Sequence, residues 1–284
     1  LLKMKSKLFF LLFIALSSKS FAQLASITAR KQGTFYLQWG YNRDWFSKSD
    51  IHFKGTYPDS PQSPTEARGK QYDFTLIGAN ATDRAQFNRI ADWNVTIPQF
   101  YYRVGYIFHG ENINGIEVGF DHVKYVMKSN QTLRVQGQLY DSTTQSVQNV
   151  DREMIVTDKF VHFEHTNGAN YLMLSFVRGM YLLRSRTEMH TVLCLVKPGA
   201  GIVIPRSDVT INGVRKDNAF HVAGYVAGLE VTFRYTFAEH VFLETAGKGC
   251  YANYTNVLTT EGNSANHYFT SFEWLFSLGY QFRL

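Results

Sequence analysis

Apolar and polar residues alternate along the end of the chain, from Phe272 to Leu284. Every second residue is apolar or aromatic: Phe272, Trp274, Phe276, Leu278, Tyr280, Phe282 and Leu284. The positions between them are mostly small, polar or charged, which predicts a β-strand with one apolar and one polar face. Left unpaired, such a strand would promote aggregation, whereas a closed barrel in a membrane turns its apolar face to lipid and its polar face to the lumen.

Seven earlier segments show the same period of two. They lie at 34–46, 96–108, 115–127, 159–177, 191–204, 220–237 and 240–254. Short connections alternate with long polar ones, the longest at 47–95 and 128–157, as in barrels with short periplasmic turns and long extracellular loops. The sequence therefore predicts an all-β fold, a closed antiparallel transmembrane β-barrel of eight strands with long extracellular loops. Residues 49–56 and 72–78 are expected to form a hairpin above the membrane; if they cross it instead, the count becomes ten.

The N-terminal residues have the pattern of a secretory signal peptide. Lys3, Lys5 and Lys7 precede an apolar run from 8 to 16, and small residues come before a cleavage site after Ala22. The apolar run is much shorter than the ~20 residues of a transmembrane helix. We therefore expect residues 1–22 to be removed on export and residues 23–284 to form one barrel domain.

Charge and cysteine content exclude some partners and cofactors. Without residues 1–22 the chain keeps 25 basic and 23 acidic residues, a net charge of +2, so no nucleic-acid partner is expected. No phosphate-binding loop or Cys-x-x-Cys pair is present, so no cofactor is expected. Cys194 and Cys250 lie on predicted strands with one strand between them, too far apart for a disulfide, and free thiols are expected.

The closing strand, with Tyr280 and Phe282 near its end, resembles the last strand of bacterial outer-membrane β-barrel proteins, in particular small barrels of the OmpX and OmpA-barrel type. Those strands usually end on the aromatic residue, whereas here Arg283 and Leu284 follow. The resemblance implies a place in the bacterial outer membrane, in contact with outer-membrane lipid and lipopolysaccharide. It also implies that the barrel-assembly machinery recognises the C-terminal strand.

The inward-facing positions of the predicted strands carry many charged residues. These are Arg103, Glu117, Asp121, Glu230, Arg234, Glu244, Lys248 and Glu273. Unpaired charges are costly in a low-dielectric interior, so we expect a salt-bridge network that fills the lumen. A proton or ion path is the alternative, although eight strands leave no wide pore.

A second group of candidates lies where the third and fourth predicted strands meet. It comprises Asp121, His122, Glu164 and His165, which could bind a divalent metal or supply a general base if they converge. The sequence His165-Thr166-Asn167 distantly resembles the His-x-Ser-Asn element of outer-membrane lipid A deacylases, in which His activates the Ser nucleophile. The spacing differs here, and histidines that pack against loops or donate hydrogen bonds to lumen carboxylates are the preferred interpretation.

The sequence thus favours a barrel that is not an enzyme. We expect a structural or adhesive role, or an accessory role in an envelope complex, with protein partners bound by the outer loops and chiefly by 47–95. The alternatives are an envelope-lipid hydrolase that uses His122 or His165, and a narrow channel.

Overall fold

The computed structural model describes residues 33–93, 98–141, 143–165, 167–187 and 189–284. The predicted signal peptide lies outside these ranges. The strands are β1 (Thr34–Phe46), β2 (Ser49–Thr56), β3 (Gln71–Ala79), β4 (Ala81–Thr82), β5 (Phe100–Ile107), β6 (Ile113–Asp121), β7 (Tyr125–Met127), β8 (Gln131–Asp141), β9 (Ser146–Val156), β10 (Val161–His165), β11 (Tyr171–Arg184), β12 (His190–Val203), β13 (Asp208–Ile211), β14 (Val214–Asp217), β15 (Gly224–Phe237), β16 (Val241–Leu258) and β17 (Ser264–Arg283). Three short 3-10 segments, Thr65–Ala67, Phe87–Asp92 and Thr260–Gly262, join them. No helix in these ranges has the length and apolar character needed to cross a membrane.

Eight strands form a cycle of antiparallel pairings, which we call the ring. Its order is β1–β5–β6–β11–β12–β15–β16–β17, and β17 pairs back with β1. The β1–β17 register runs from Thr34 opposite Arg283 to Phe46 opposite Ser271. The predicted all-β, antiparallel fold is confirmed.

The ring strands alternate between buried inward positions and exposed outward positions. On β17, Glu273 and Ser277 are buried, whereas Trp274 and Phe276 are 56% and 54% exposed. Close packing inside the ring requires small residues at some points. A Cβ atom on Gly105 would lie 2.2 Å from Cζ of the Tyr36 ring, so only glycine leaves room for this tyrosine.

An extension of the ring sheet and one separate sheet lie together at one end of the ring, and we call them the cap. Residues 264–267 of β17 pair with β2, and β2, β3, β8 and β9 continue the ring sheet outward. A separate sheet has the order β14–β13–β10–β7–β4. Aromatic side chains join the two sheets: the Phe53 and Phe163 ring centroids are 5.4 Å apart, and those of Phe74 and Phe160 are 5.8 Å apart. This aromatic core is continuous with buried side chains at the same end of the ring, among them Tyr171, Tyr254 and Phe269, so the cap and the ring share one hydrophobic cluster.

The cap corrects several predicted boundaries. The strand predicted at 115–127 is divided, because β6 ends in the ring at Asp121 and β7 belongs to the cap. The strand predicted at 159–177 is likewise divided into β10 in the cap and β11 in the ring. The regions 47–95 and 128–157 are not polar loops throughout, since they supply β2, β3, β4, β8 and β9. The hairpin expected within 47–95 is present as β2 and β3, outside the ring.

Candidate functional site

The charged residues predicted for the lumen lie inside the ring and contact one another. All eight are buried, with 5% exposure or less. Arg103 pairs with Asp121 and lies 3.3 Å from Glu117 and 3.5 Å from Glu230. Because β5 and β15 stand on opposite sides of the ring, the contact between Arg103 and Glu230 spans its interior.

The remaining predicted charges extend this network toward both ends of the ring. Lys248 contacts Asp121 and lies 3.4 Å from Glu273. Arg234 donates to Glu244 through Nε at 2.5 Å, and its guanidinium carbon lies 4.0 Å from the centre of the Phe242 ring. The described part of the ring interior is thus filled by ion pairs and aromatic side chains.

Lys197, which the sequence analysis missed, is central to the network. Its ammonium group is fully buried and lies 2.9 Å from Glu117, 3.1 Å from Glu230 and 3.5 Å from Glu244. The signal was available, because Leu193 and Leu195 have the same parity as Lys197 and face inward with it on β12. Asp44 is a second missed carboxylate, buried on β1, whose Oδ2 accepts a hydrogen bond of 2.6 Å from Gln99.

The second predicted constellation does not form. It consisted of Asp121, His122, Glu164 and His165. The assumed register is wrong, because Asp121 pairs with Tyr171 of β11, whereas Glu164 on β10 pairs with Val126 of β7. Each of the two predicted strands is divided where the ring ends, with one part in the ring and the other in the cap. Asp121 therefore lies in the ring sheet and Glu164 in the separate cap sheet.

Each of the two candidate histidines has its own surroundings. His122 stacks on Phe100, with ring centroids 4.8 Å apart, and its Nδ1 lies 2.9 Å from Asn170 Oδ1. His165 is fully buried; its Nδ1 lies 2.8 Å from Ser207 Oγ and its Nε2 lies 3.1 Å from Nε2 of His267. Burial lowers the pKa of His165 to about 3, so the ring is neutral and has a structural, hydrogen-bonding place in the cap core.

Glu164 instead joins an ionic cluster on the cap with His162 and Asp208. Ligand atoms of these three side chains lie within 4.8 Å of one another, a spacing that could suit a metal ion. However, Arg84 lies 2.8 Å from Glu164, and Arg215 pairs with Asp208. Hydrogen bonds to Glu164 and Asp158 raise the pKa of His162 to about 9. A protonated imidazole cannot ligate a metal, so these contacts favour an ion-pair cluster at neutral pH.

A groove of about 810 Å³, which we call the outer groove, lies where the ring meets the cap. Its aromatic lining includes Phe100, Tyr102, Phe120 and Phe220, and its polar lining includes Arg84, Gln86, His122, Lys124, Asn167, Asn170 and Arg206. Of the four candidates in the predicted constellation, only His122 lines this groove. Sequence reasoning missed Arg84, Lys124 and Arg206, since they come from three connections whose convergence no local pattern indicates.

No protein-family model matches the chain, and neither does any curated protein. Among solved structures, it is similar to the outer membrane protein OprG of Pseudomonas aeruginosa at 11% identity and a TM-score of 0.38, covering 91% of this chain and 100% of that one. It is also similar to Ail, the attachment invasion locus protein of Yersinia pestis, at 10% identity and a TM-score of 0.33, covering 88% and 99%. A third similarity is to the outer membrane protease OmpT of Escherichia coli, at 6% identity and a TM-score of 0.26, covering 92% and 99%. These structural neighbours are bacterial outer-membrane β-barrel proteins, the class that the sequence resembles.

Proposed function

We propose that this protein is an integral β-barrel of the bacterial outer membrane in which the eight ring strands cross the bilayer. The outward face of the ring supports this placement, because it carries large apolar side chains such as Leu229, Phe233 and Trp274, which are 50%, 48% and 56% exposed. Contiguous apolar surface of this extent is rare on water-soluble monomers, and lipid would remove it from water. Export through residues 1–22, recognition of β17 by the assembly machinery and the lack of a nucleic-acid partner stay predictions.

Folding into phospholipid vesicles tests the membrane placement. The refolded protein is expected to resist extraction by carbonate and to migrate differently on gels before and after boiling. A product that stays in solution without detergent would contradict the proposal.

We further propose that the barrel anchors the cap as a cell-surface binding unit, in an adhesive, structural or accessory role. The observation that carries this proposal is the free edge at β9. Among the described strands β9 pairs only with β8, so every second residue along this eleven-residue strand offers its unpaired backbone N–H and C=O groups to a partner. Proteins recognise extended segments by adding a strand to such an edge. The side chain of Ile155, at 61% exposure, provides an apolar contact beside it.

Photo-crosslinking in intact cells tests this role. A photoreactive amino acid in place of Ile155 is expected to capture a specific polypeptide at the cell surface. The same group in place of Lys54, a 71% exposed side chain on the interior strand β2, serves as the matched control. Equal capture from both positions, or none from position 155, would contradict binding at the β9 edge.

Two proline substitutions sharpen the test. Arg152 and Glu153 are neighbours in an unbroken part of the β8–β9 register. Successive backbone N–H groups of a strand point to opposite edges, so proline at one position blocks the free edge and proline at the other breaks the β8 ladder. One of Arg152→Pro and Glu153→Pro should therefore abolish crosslinking with the cap intact, as judged by resistance to limited proteolysis. Retained crosslinking in both folded variants would refute strand addition.

An envelope-lipid hydrolase is a second candidate, favoured by the place of His122 in the outer groove. Burial lowers the pKa of His122 to about 4, so its ring is neutral at pH 7 and can accept a proton, but a pKa this far below 7 makes it a weak general base. None of the described lining residues is Ser, Thr or Cys, so such an enzyme would have to activate water. Release of fatty acid from lipid A or phospholipid, with and without divalent metal, tests this candidate, and loss of release in His122→Gln would support it.

A further inference from the structure

The floor of the outer groove belongs to the outward face of the ring. Tyr102 and Phe120 lie opposite each other on β5 and β6, with ring centroids 5.1 Å apart, and Tyr102 is 46% exposed. The two residues next to Tyr102 on β5, Tyr101 and Arg103, point inward and are buried. If the ring crosses the membrane as proposed above, the floor of the groove therefore faces lipid.

The upper part of the groove is cationic. Arg84, Lys124 and Arg206 line it, and no acidic side chain is among the described lining residues. The carboxylates that pair with the two arginines stand outside the lining: Glu164 lies 2.8 Å from Arg84, and Asp217 lies 2.7 Å from Arg206.

Lys124 has the surroundings of a cation that an anion would stabilise. It is buried, and its Nζ donates to Gln86 Oε1 at 2.9 Å. Burial and the charge of Arg84 lower the pKa of Lys124 to about 8, and the charge of Glu164 opposes them only in part. An anion bound in the groove would act in the same direction as Glu164, because an opposite charge favours the protonated amine.

Exposed aromatic side chains lie in the groove lining and in the segment that follows the lining residue Gln86. The 3-10 segment Phe87–Asp92, which follows the lining residue Gln86, is succeeded by Trp93, a side chain that is 90% exposed. Phe87 packs on Tyr41 of β1, with ring centroids 6.0 Å apart. Phe220, which lines the groove, is 52% exposed. Tryptophan and other aromatic residues with adjacent basic residues are typical of the interface between lipid and water.

We propose that the outer groove binds a phosphate-bearing lipid of the outer leaflet. Its phosphate lies among Lys124, Arg206 and Arg84, and its acyl chains follow the Tyr102 and Phe120 rings into the bilayer. Guanidinium groups suit phosphate because they donate several hydrogen bonds in one plane. The site rests on the proposed membrane placement, since its basic side chains lie at the depth of the lipid headgroups only if the ring spans the bilayer.

Native mass spectrometry of the full protein, folded in detergent, tests this site with three probes: bisphosphorylated lipid A, the same lipid without its phosphates, and inorganic phosphate. The wild type is expected to bind one bisphosphorylated lipid at least tenfold more tightly than the dephosphorylated one. The double variant Lys124→Gln, Arg206→Gln should lose this preference. Arg206→Gln alone should weaken the preference. Because the Arg206 side chain is 37% exposed, this variant tests the site without the risk that replacing the buried Lys124 disturbs folding.

Lys54→Gln is the matched control, because it also removes one positive charge but lies on β2 outside the groove lining. It should bind like the wild type. Equal affinity for the two lipids, or an equal loss in Lys54→Gln, would overturn the proposed site. Inorganic phosphate bound as tightly as the lipid would overturn the assignment to a membrane lipid. A protein that inserts into vesicles but shows no phosphate preference contradicts this site alone, whereas a protein that fails to insert contradicts the membrane placement.

Discussion

Lys248 on β16 and Asp121 on β6 form an ion pair across the full width of the ring. Four strand steps separate β6 from β16 in either direction around the cycle, so the two side chains start from opposite walls. Both are nearly inaccessible to solvent. Removing only one partner of such a pair leaves an uncompensated buried charge, which costs far more than the pair itself contributes. We therefore expect the stability of the ring to depend on these buried charges jointly, so that the effects of replacing them are not additive.

Replacing Lys248 should show this dependence. We expect Lys248→Met to lower the free energy of unfolding by about 3–5 kcal/mol, because Glu273 loses the cation it contacts and Asp121 keeps only Arg103. The double variant Lys248→Met, Asp121→Asn should be less destabilised than the sum of the two single variants. Urea unfolding of the protein in vesicles measures both. Lys216→Met, an exposed change on β14, is the control, and additive effects of the two lumen changes would contradict coupling across the ring.

The filled interior predicts that the barrel does not conduct. Lys197 bridges three strands of the ring, and side chains of the network occupy the space between opposite walls. Planar bilayers containing the wild type should show no steady ion current, since eight strands enclose only enough space for side chains. A reproducible unitary conductance that changes in Lys197→Ala would instead establish the narrow-channel alternative.

Truncating an aromatic side chain in the cap should weaken the cap more than the ring, because the eight-strand cycle of pairings closes without the cap strands. Phe74 is buried between Phe53 and Phe160, at 5.2 and 5.8 Å between ring centroids. Phe74→Ala is expected to destabilise the cap by about 3–5 kcal/mol because it opens a cavity. Limited proteolysis should then cut within the cap, while the boiled and unboiled protein still migrate differently on gels. Ile155→Ala, at an exposed position, should have no such effect. Loss of both properties together would show that the cap and the ring fold as one cooperative unit.

The ionic cluster predicts a pH dependence of cap stability. The pKa of His162 is about 9 in the folded protein against an ordinary 6.5, so its contribution is fully present below pH 6.5 and is lost as the pH rises through 9. Thermal unfolding followed by near-ultraviolet circular dichroism should show a cap that weakens between these values. His162→Gln should remove this dependence and lower cap stability at pH 6.5. A wild type and variant with parallel pH profiles would contradict the assignment.

The sequence by itself determined which way each ring strand faces. Alternation with period two is a local property of an extended chain, so Trp274 and Glu273 are assigned to opposite faces without knowledge of any partner. The same parity places Arg103, Glu117 and Glu230 inside. The same parity along β12 places Lys197 inside as well, together with Leu193 and Leu195.

Only the tertiary structure decided which of these residues meet. Asp121 pairs with Lys248 because the ring closes with a particular stagger, which no alternating pattern encodes. The cap was also hidden, since Phe53, Phe74 and Phe163 come from three separate segments and form one core only when the sheets stack. The outer groove also depends on tertiary structure, because its basic residues come from three connections that meet only when the ring strands pair. Local periodicity fixes orientation, whereas contacts between distant segments depend on closure, register and the packing of whole sheets.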